Sequence, residues 1–149
     1  MTTLFYYCEH CGNVIIKLHD GGPVPVCCGE TMTRLTPNLI DPKGETAEKH
    51  IPVCEKLDDC SYKVKVGSKP HPMTDVHRIE FLFIETADGG QFIRLKPEDM
   101  EAEAVFCACR EKPVAVYAYC NIHGLWKLDC GGRMQDSCTD KKECCKTGK

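Results

Sequence analysis

The sequence predicts an all-β protein: a small cysteine-rich unit at the N-terminus, then a sandwich or barrel of short strands. Three observations carry this. Apolar and polar residues alternate in short runs, as in strands buried on one face. The runs are closely spaced and separated by Gly, Pro and Asp turn signals. No long stretch repeats apolar residues at helical spacing, so no long amphipathic helix is expected. A chain of 149 residues has room for one small and one medium domain.

Residues 1–37 hold four cysteines and the turn signals Cys11-Gly12, Asp20-Gly21-Gly22-Pro23 and Cys28-Gly29. The stretch 37–44, rich in Pro, Asp and Gly, reads as a linker. Residues 38–128 carry most of the strand pattern. Tyr62, Val64 and Val66 alternate with Lys63 and Lys65, a half-buried strand. His77, Ile79, Phe81 and Phe83 fall on one face of a second strand, opposite Arg78 and Glu80, so His77 is expected on the core side. Asp88-Gly89-Gly90 supplies a hairpin turn into a strand at 91–96. Residues 104–109 and 114–119 read as two more strands, joined by Arg110-Glu111-Lys112-Pro113. Apolar periodicity stops after Trp126, and residues 129–149 read as a flexible tail rich in Cys, Lys, Asp and Gly.

Composition excludes several classes. The net charge of −3 is not that of a nucleic-acid binder. No apolar run is long enough for a membrane-spanning helix. Met1 to Cys8 shows neither a basic start nor a long apolar stretch, which argues against an export signal. Thirteen cysteines are an odd number, and with no export signal a disulfide framework is disfavoured. The expected compartment is a reducing cytoplasm, where such cysteines are metal ligands, redox groups or small buried hydrophobes.

Spacing favours metal. Cys8-x-x-Cys11 and the adjacent pair Cys27-Cys28 can bring four thiolates to one point across a hairpin. Four thiolates make a tetrahedral site for zinc or iron, and spacing does not choose between them. Gly12 and Gly29 follow the two pairs and permit the tight turns that aim amide N–H groups at sulfur. Adjacent ligands constrain the bite angle, so a distorted tetrahedron is expected at Cys27-Cys28.

A second set shares metal-binding chemistry: His50, His71, His77, Cys120 and His123. Any one inward histidine is more often a hydrogen-bonded core residue than a ligand. Cys120-x-x-His123 shifts the balance, because a thiolate and an imidazole three residues apart in a tight loop can share one metal. The pattern does not by itself bring the other three histidines to that loop.

These motifs resemble those of the desulfoferrodoxin type of superoxide reductase. Cys8-x-x-Cys11 with Cys27-Cys28 is similar to that family's desulforedoxin-like domain. Glu48-Lys49-His50, Tyr62-Lys63-Val64-Lys65-Val66-Gly67, His71-Pro72-Met73 with His77, and Cys120-Asn121-Ile122-His123-Gly124 with Trp126 resemble its catalytic domain. The resemblance runs over about residues 4–128, in the family's order. It implies an immunoglobulin-like β-sandwich and a homodimer. It implies a rubredoxin-like iron on Cys8, Cys11, Cys27 and Cys28. A second iron would be bound by His50, His71, His77 and His123 in one plane, with Cys120 axial. Glu48 would be the mobile carboxylate that closes the sixth position, and Lys49 the cation beside it. The implied reaction is one-electron reduction of superoxide to hydrogen peroxide, with electrons from rubredoxin or a flavoprotein reductase. The first iron would store or relay electrons, or would serve as a structural clip.

The chemistry suits those residues. Four neutral imidazoles and one thiolate leave iron(II) a net positive site, which favours an anionic substrate. A thiolate opposite the open position donates electron density toward it. Because the whole chain is negative, a local cation such as Lys49 is needed to draw superoxide in.

The remaining cysteines match no family ligand position. Cys54, Cys60, Cys107 and Cys109 are expected to be packed, with a Cys54–Cys60 disulfide open. Cys130, Cys138, Cys144 and Cys145 are expected in a reduced tail able to trap metal or form disulfides. Three other functions fit less well: a zinc-ribbon-like adaptor, a pure electron-transfer protein and a disulfide-rich secreted domain. The first two leave the His/Cys set unexplained.

Overall fold

The structure is a computed structural model that describes residues 3–38, 45–108 and 111–131. The chain divides after Pro37 into two compact units. Among the described residues, no helix is long and apolar enough to cross a membrane.

The first unit has strands β1 (Leu4–Tyr7), β2 (Val14–Lys17), β3 (Val26–Cys27), β4 (Glu30–Thr31) and β5 (Thr33–Arg34). β1 lies between β2 and β5 in an antiparallel sheet, and β3 pairs with β4 in a separate ribbon. Its local core is small: Tyr6, Cys8 and Met32, with Leu4, Ile15 and Cys27 packed against them. Such a core stabilises little, and a bound metal is the usual supplement at this size.

The second unit begins with a short helix, α1 (Glu45–His50). Seven strands follow: β6 (Pro52–Lys56), β7 (Ser61–Val66), β8 (Ile79–Glu85), β9 (Gly90–Arg94), β10 (Glu103–Cys107), β11 (Ala115–Cys120) and β12 (Gly124–Asp129). They form two sheets, β10-β7-β6 and β12-β11-β8-β9, with every pairing antiparallel. The chain crosses between sheets from β7 to β8 and returns from β9 to β10. This is an immunoglobulin-like sandwich whose fourth strand lies beside the third.

The core explains the strand pattern. Tyr62, Val64 and Val66 of β7 are buried against Leu82 and Ile84 of β8, Phe106 of β10, and Val116 and Ala118 of β11. Lys63 and Lys65 face outward, where Lys63 meets Glu103 at 2.8 Å and Lys65 meets Glu101 at 3.2 Å across the β7–β10 pair.

β8 departs from the expected alternation. Its pairing with β11 slips between Tyr119 and Cys120, so that Tyr119 faces Phe81 but Cys120 faces Ile79. Glu80 is the extra residue of a β-bulge. The bulge puts Ile79 on the inner face with Leu82 and Ile84. Phe81 and Phe83 lie on the other face, ring to ring with Tyr119 and Tyr117. His77 precedes the strand and is not part of its core-facing row. The expected strands at 91–96, 104–109 and 114–119 lie within one or two residues of β9, β10 and β11, but Cys109 itself falls outside the described residues.

One close approach links the sandwich to α1. Gly67 directly follows β7 with φ +81°, and its N–H donates to the Ile51 carbonyl at 3.0 Å. A Cβ here would meet the carbonyl oxygens of Lys69, Lys49 (2.8 Å) and Glu48 (2.9 Å). Only glycine tolerates both the left-handed backbone and this contact. Gly67→Ala is expected to destabilise the protein by about 2 kcal/mol or more, lowering the thermal midpoint by about 5 °C. A midpoint equal to wild type in a melting experiment would remove the constraint.

Candidate metal centres

The N-terminal cluster is built by two turns. Cys8 follows β1 and Cys11 closes the next turn, with the Gly12 N–H on the Cys8 carbonyl at 2.9 Å and the Cys8 N–H on the Asn13 carbonyl at 2.9 Å. Gly12 adopts φ +76° to allow it. Cys27 ends β3, and Cys28-Gly29 is the two-residue loop of the β3–β4 hairpin. Both loop residues have positive φ, 52° at Cys28 and 83° at Gly29. That is the backbone of a type I′ turn.

The four sulfurs lie within 4.8 Å of one another. Cys11 and Cys27 are 3.6 Å apart, and Cys27 and Cys28 are 3.9 Å apart. A tetrahedron with metal–sulfur bonds of about 2.3 Å has an edge of about 3.8 Å, so the donor set fits a metal. The expected distortion at the adjacent ligands is not seen in these distances. The backbone of Cys28 absorbs it instead, in a left-handed conformation rare for a non-glycine residue. N–H groups of Cys11 and His10 hold the Cys8 thiol down to about 7, while hydrogen bonds to Cys11 and Cys27 push Cys28 up to about 12.

The second cluster gathers residues from three connections in the sandwich. His50 ends α1, His71 and His77 lie in the β7–β8 connection, Cys120 ends β11, and His123 sits in the turn to β12. One ligand atom from each lies within 4.8 Å of all the others. The four rings form a square. Neighbouring centroids are 4.5 Å apart for His50–His71 and His50–His123, 4.6 Å for His71–His77 and 5.0 Å for His77–His123. The His50–His77 diagonal is 6.1 Å. Cys120, with no exposed surface, lies to one side, its sulfur 3.5 Å from His123 Nδ1.

The nitrogen lone pairs point inward. His71 Nδ1 donates to the Pro72 carbonyl at 2.6 Å, so its Nε2 carries the lone pair. That Nε2 is 2.9 Å from His50 Nε2, an approach that needs a shared proton or a shared cation. His77 Nε2 is buried with no hydrogen-bond partner, which costs about 1–3 kcal/mol unless a ligand satisfies it. A cation at the centre resolves both features, and the donor set of imidazoles plus thiolate suits iron. Burial brings His71 down to about 4 and lowers His77, so both rings are neutral and able to ligate near pH 7. Stability contributed by neutral His71 is therefore present above pH 6.5 and is lost as pH falls toward 4.

Loop anchors hold the square. Asn121 brackets His77: it accepts the Arg78 N–H at 2.9 Å and donates to the Val76 carbonyl at 3.0 Å. Thr74 Oγ1 accepts the His77 N–H at 3.1 Å. Asn38 Nδ2 donates to the His123 carbonyl at 3.0 Å, and Trp126 stacks on His50 with centroids 4.9 Å apart.

Glu48 and Lys49 are exposed on α1 and do not join the five converging groups. Glu48 pairs with Lys69 at 2.6 Å, and that cation holds its carboxyl below the ordinary range. The Lys49 charge reaches His77 and disfavours its protonated form. Arg78 is engaged with Glu80 and Lys127 with Asp129.

Comparison with known proteins agrees with this arrangement. The Desulfoferrodoxin family model matches residues 43–129, and the model of the desulfoferrodoxin N-terminal domain matches residues 2–35. The chain belongs to the desulfoferrodoxin family. It is 46% identical over 125 residues to a desulfoferrodoxin of Nitratidesulfovibrio vulgaris, covering 83% of this chain and 94% of that one. It is 42% identical over 124 residues to a desulfoferrodoxin of Desulfarculus baarsii, again covering 83% and 94%. Among solved structures, it is similar to the superoxide reductase from Treponema pallidum, with a TM-score of 0.71 and 28% identity over 86% of this chain and 98% of that one.

In this desulfoferrodoxin chain the structure brings together all nine residues singled out as ligands, in two groups. It leaves Glu48 and Lys49 at the rim. Sequence reasoning gave no role to Thr74, Lys69 and Asn121. Asn121 was visible inside the Cys120–His123 motif, but its function depends on a loop far away in sequence. Cys138, Cys144 and Cys145 lie outside the described residues. Cys130 is not loose: it packs on the sandwich core, and its N–H donates to the Val114 carbonyl at 2.9 Å. Cys107 is exposed rather than packed, because it ends β10 at the edge of its sheet. Cys54 is free, whereas Cys60 is in a disulfide, so these two do not bond to each other.

Stripping metal with a strong chelator is expected to unfold the first unit, whose core is small, and to leave the sandwich folded. Amide exchange should then lose protection over residues 3–37 while β7, β8 and β11 keep theirs. Retained protection in the first unit would contradict a metal-dependent fold.

Proposed function

We propose that this chain is a superoxide reductase that converts superoxide to hydrogen peroxide. His50, His71, His77, His123 and Cys120 would hold the reacting iron, and Cys8, Cys11, Cys27 and Cys28 a second iron. The observation that supports this most is the square of four inward imidazoles backed by one buried thiol. Iron(II) held there would supply the one electron that superoxide needs, with two protons from the wet side completing hydrogen peroxide.

The chain's own residues set up that exchange. Three histidines present Nε2 and His123 presents Nδ1, which the short Cys120–His123 turn favours. Cys120 lies beneath the sandwich surface, shielded from water and from competing oxidation. His123 is exposed, so the substrate and its protons arrive on the open, wet side. Lys49 stands next to His50 and directs positive charge toward the ring square, drawing in an anion that the net-negative chain would otherwise repel. Its Nζ–H groups can also orient water for proton delivery. Glu48 would be the mobile carboxylate that closes the open side. Its exposed ion pair with Lys69 is readily exchanged, because solvent-exposed pairs contribute little.

As the sequence resemblance implies, the further parts of the reading are a three-part division into 1–37, 38–128 and 129–149, a cytoplasmic location, a homodimer, and rubredoxin or a flavoprotein reductase as electron donor. The iron of the four-cysteine site would relay electrons and also hold the first unit together.

Two measurements test the proposal. With a reductant present, the iron-loaded protein should release one peroxide for every superoxide consumed, with no dioxygen; dioxygen at half the superoxide consumed would make it a dismutase instead. In pulse radiolysis, Lys49→Ala should slow the second-order reaction about ten-fold while both iron absorption spectra stay unchanged. An unaltered rate would remove Lys49 from the mechanism.

A further inference from the structure

Two thiols outside both metal clusters pack on the same core cluster where the two sheets meet. Cys54 lies in the middle of β6, opposite Val64 of β7, and Cys130 immediately follows β12. The packing of β6 against β12 brings the two side chains close enough to interact. Both are free and half-buried, packed on the main core cluster. β6 is the edge of one sheet and β12 the edge of the other, and the two edges lie against each other. Neither thiol has ligands around it for a third metal site among the described residues.

We propose that Cys54 and Cys130 are a redox pair that hydrogen peroxide closes into a disulfide between the two sheets. The reaction balances as two thiols plus one peroxide giving one disulfide and two waters. Cys54 sulfur attacks a peroxide oxygen; the O–O bond breaks, and the leaving oxygen departs as water with the thiol proton. Cys130 sulfur then displaces the hydroxyl from Cys54, the S–S bond forms, and the second water leaves. Sulfur is oxidised and peroxide oxygen is reduced. The roles follow from the pair's asymmetry. The interaction with Cys130 favours the thiolate of Cys54, while the same interaction and burial push Cys130 up. Cys54 is therefore the attacking thiolate and Cys130 the resolving thiol.

Position gives the bond a consequence. β6 begins two residues after His50, and β12 begins directly after His123. A cross-link here fastens together the two edge strands that carry these histidines and closes a long loop in the unfolded chain. The sandwich that holds the proposed peroxide-forming centre would thus become more rigid as peroxide accumulates. The chemistry of the pair requires peroxide but not that this chain produced it.

The iron-loaded full-length protein, fully reduced and freed of reductant, can be treated with a slight excess of hydrogen peroxide, denatured and alkylated. Trypsin places Cys54 in residues 50–56 and Cys130 in residues 128–133, with one cysteine in each peptide. The expected result is a cross-linked pair of these peptides in mass spectrometry, released by dithiothreitol. The oxidised protein should also melt about 10 °C above the reduced one. Cys54→Ala and Cys130→Ala should each abolish the cross-link and the shift. If a variant fails to fold, the wild-type peptide map decides alone. Cys54 and Cys130 both alkylated after peroxide would overturn the proposal, as would Cys130 joined to Cys138, Cys144 or Cys145 with Cys54 left free.

Discussion

Five electron-pair donors meet at one end of the sandwich, and in the absence of a cation they would oppose one another. His50 and His71 face each other nitrogen to nitrogen at 2.9 Å, and His77 Nε2 is buried without a partner. Burial keeps His71 and His77 neutral and raises the Cys120 thiol. Protonation cannot relieve the arrangement cheaply, so a metal ion is the natural complement. Much of the second unit is organised around this requirement. The β-bulge at Glu80 sets the register in which Cys120 meets Ile79, where the ligand-bearing ends of β8 and β11 come together. Gly67 lets the end of β7 pass under α1, and Asn121 ties the His77 loop to the turn that carries Cys120 and His123.

The two metal clusters solve different problems. In the first unit the cluster substitutes for a core that 37 residues cannot supply, and Cys28 accepts a left-handed backbone to let two adjacent thiols bind one ion. In the second unit the sandwich is stable in its own right, with Val64, Leu82, Ile84, Val116 and Ala118 wholly buried. There the fold supports the site rather than the reverse. A rigid scaffold with ligands on its loops is the arrangement that keeps one face of a metal open to solvent and substrate.

Much of this was legible in the sequence, for physical reasons that differ by residue. Cys8, Cys11, Cys27 and Cys28 announce a site because close cysteine pairs in a short hairpin can hardly avoid meeting. Tyr62, Val64 and Val66 announce a strand because their alternation with lysines has only one sensible burial. The residues His50, His71, His77, Cys120 and His123 carried the right chemistry, but their convergence needed the family resemblance, since the fold joins three separate connections. The segment around His77 misled because β8 is apolar on both faces. Leu82 and Ile84 face the core, while Phe81 and Phe83 stack on tyrosines, so alternation could not reveal the bulge. α1 was not visible because a helix this short shows no periodicity. The approach of Cys54 to Cys130 depends wholly on how the two sheets stack, which no local pattern encodes.

On the proposed function, the four imidazoles and Cys120 bind one iron, separate from the iron of the four-cysteine site. The most direct measurement is an anaerobic iron titration of the purified chain and of its His77→Ala variant, with metal counts and visible absorption followed together. Two irons per chain are expected in the wild type, with distinct sulfur-to-iron bands from the two sites. In the variant one iron and one band should be lost while the four-sulfur spectrum stays intact. A wild-type chain that binds a single metal, or a variant that keeps both irons and both bands, would contradict it.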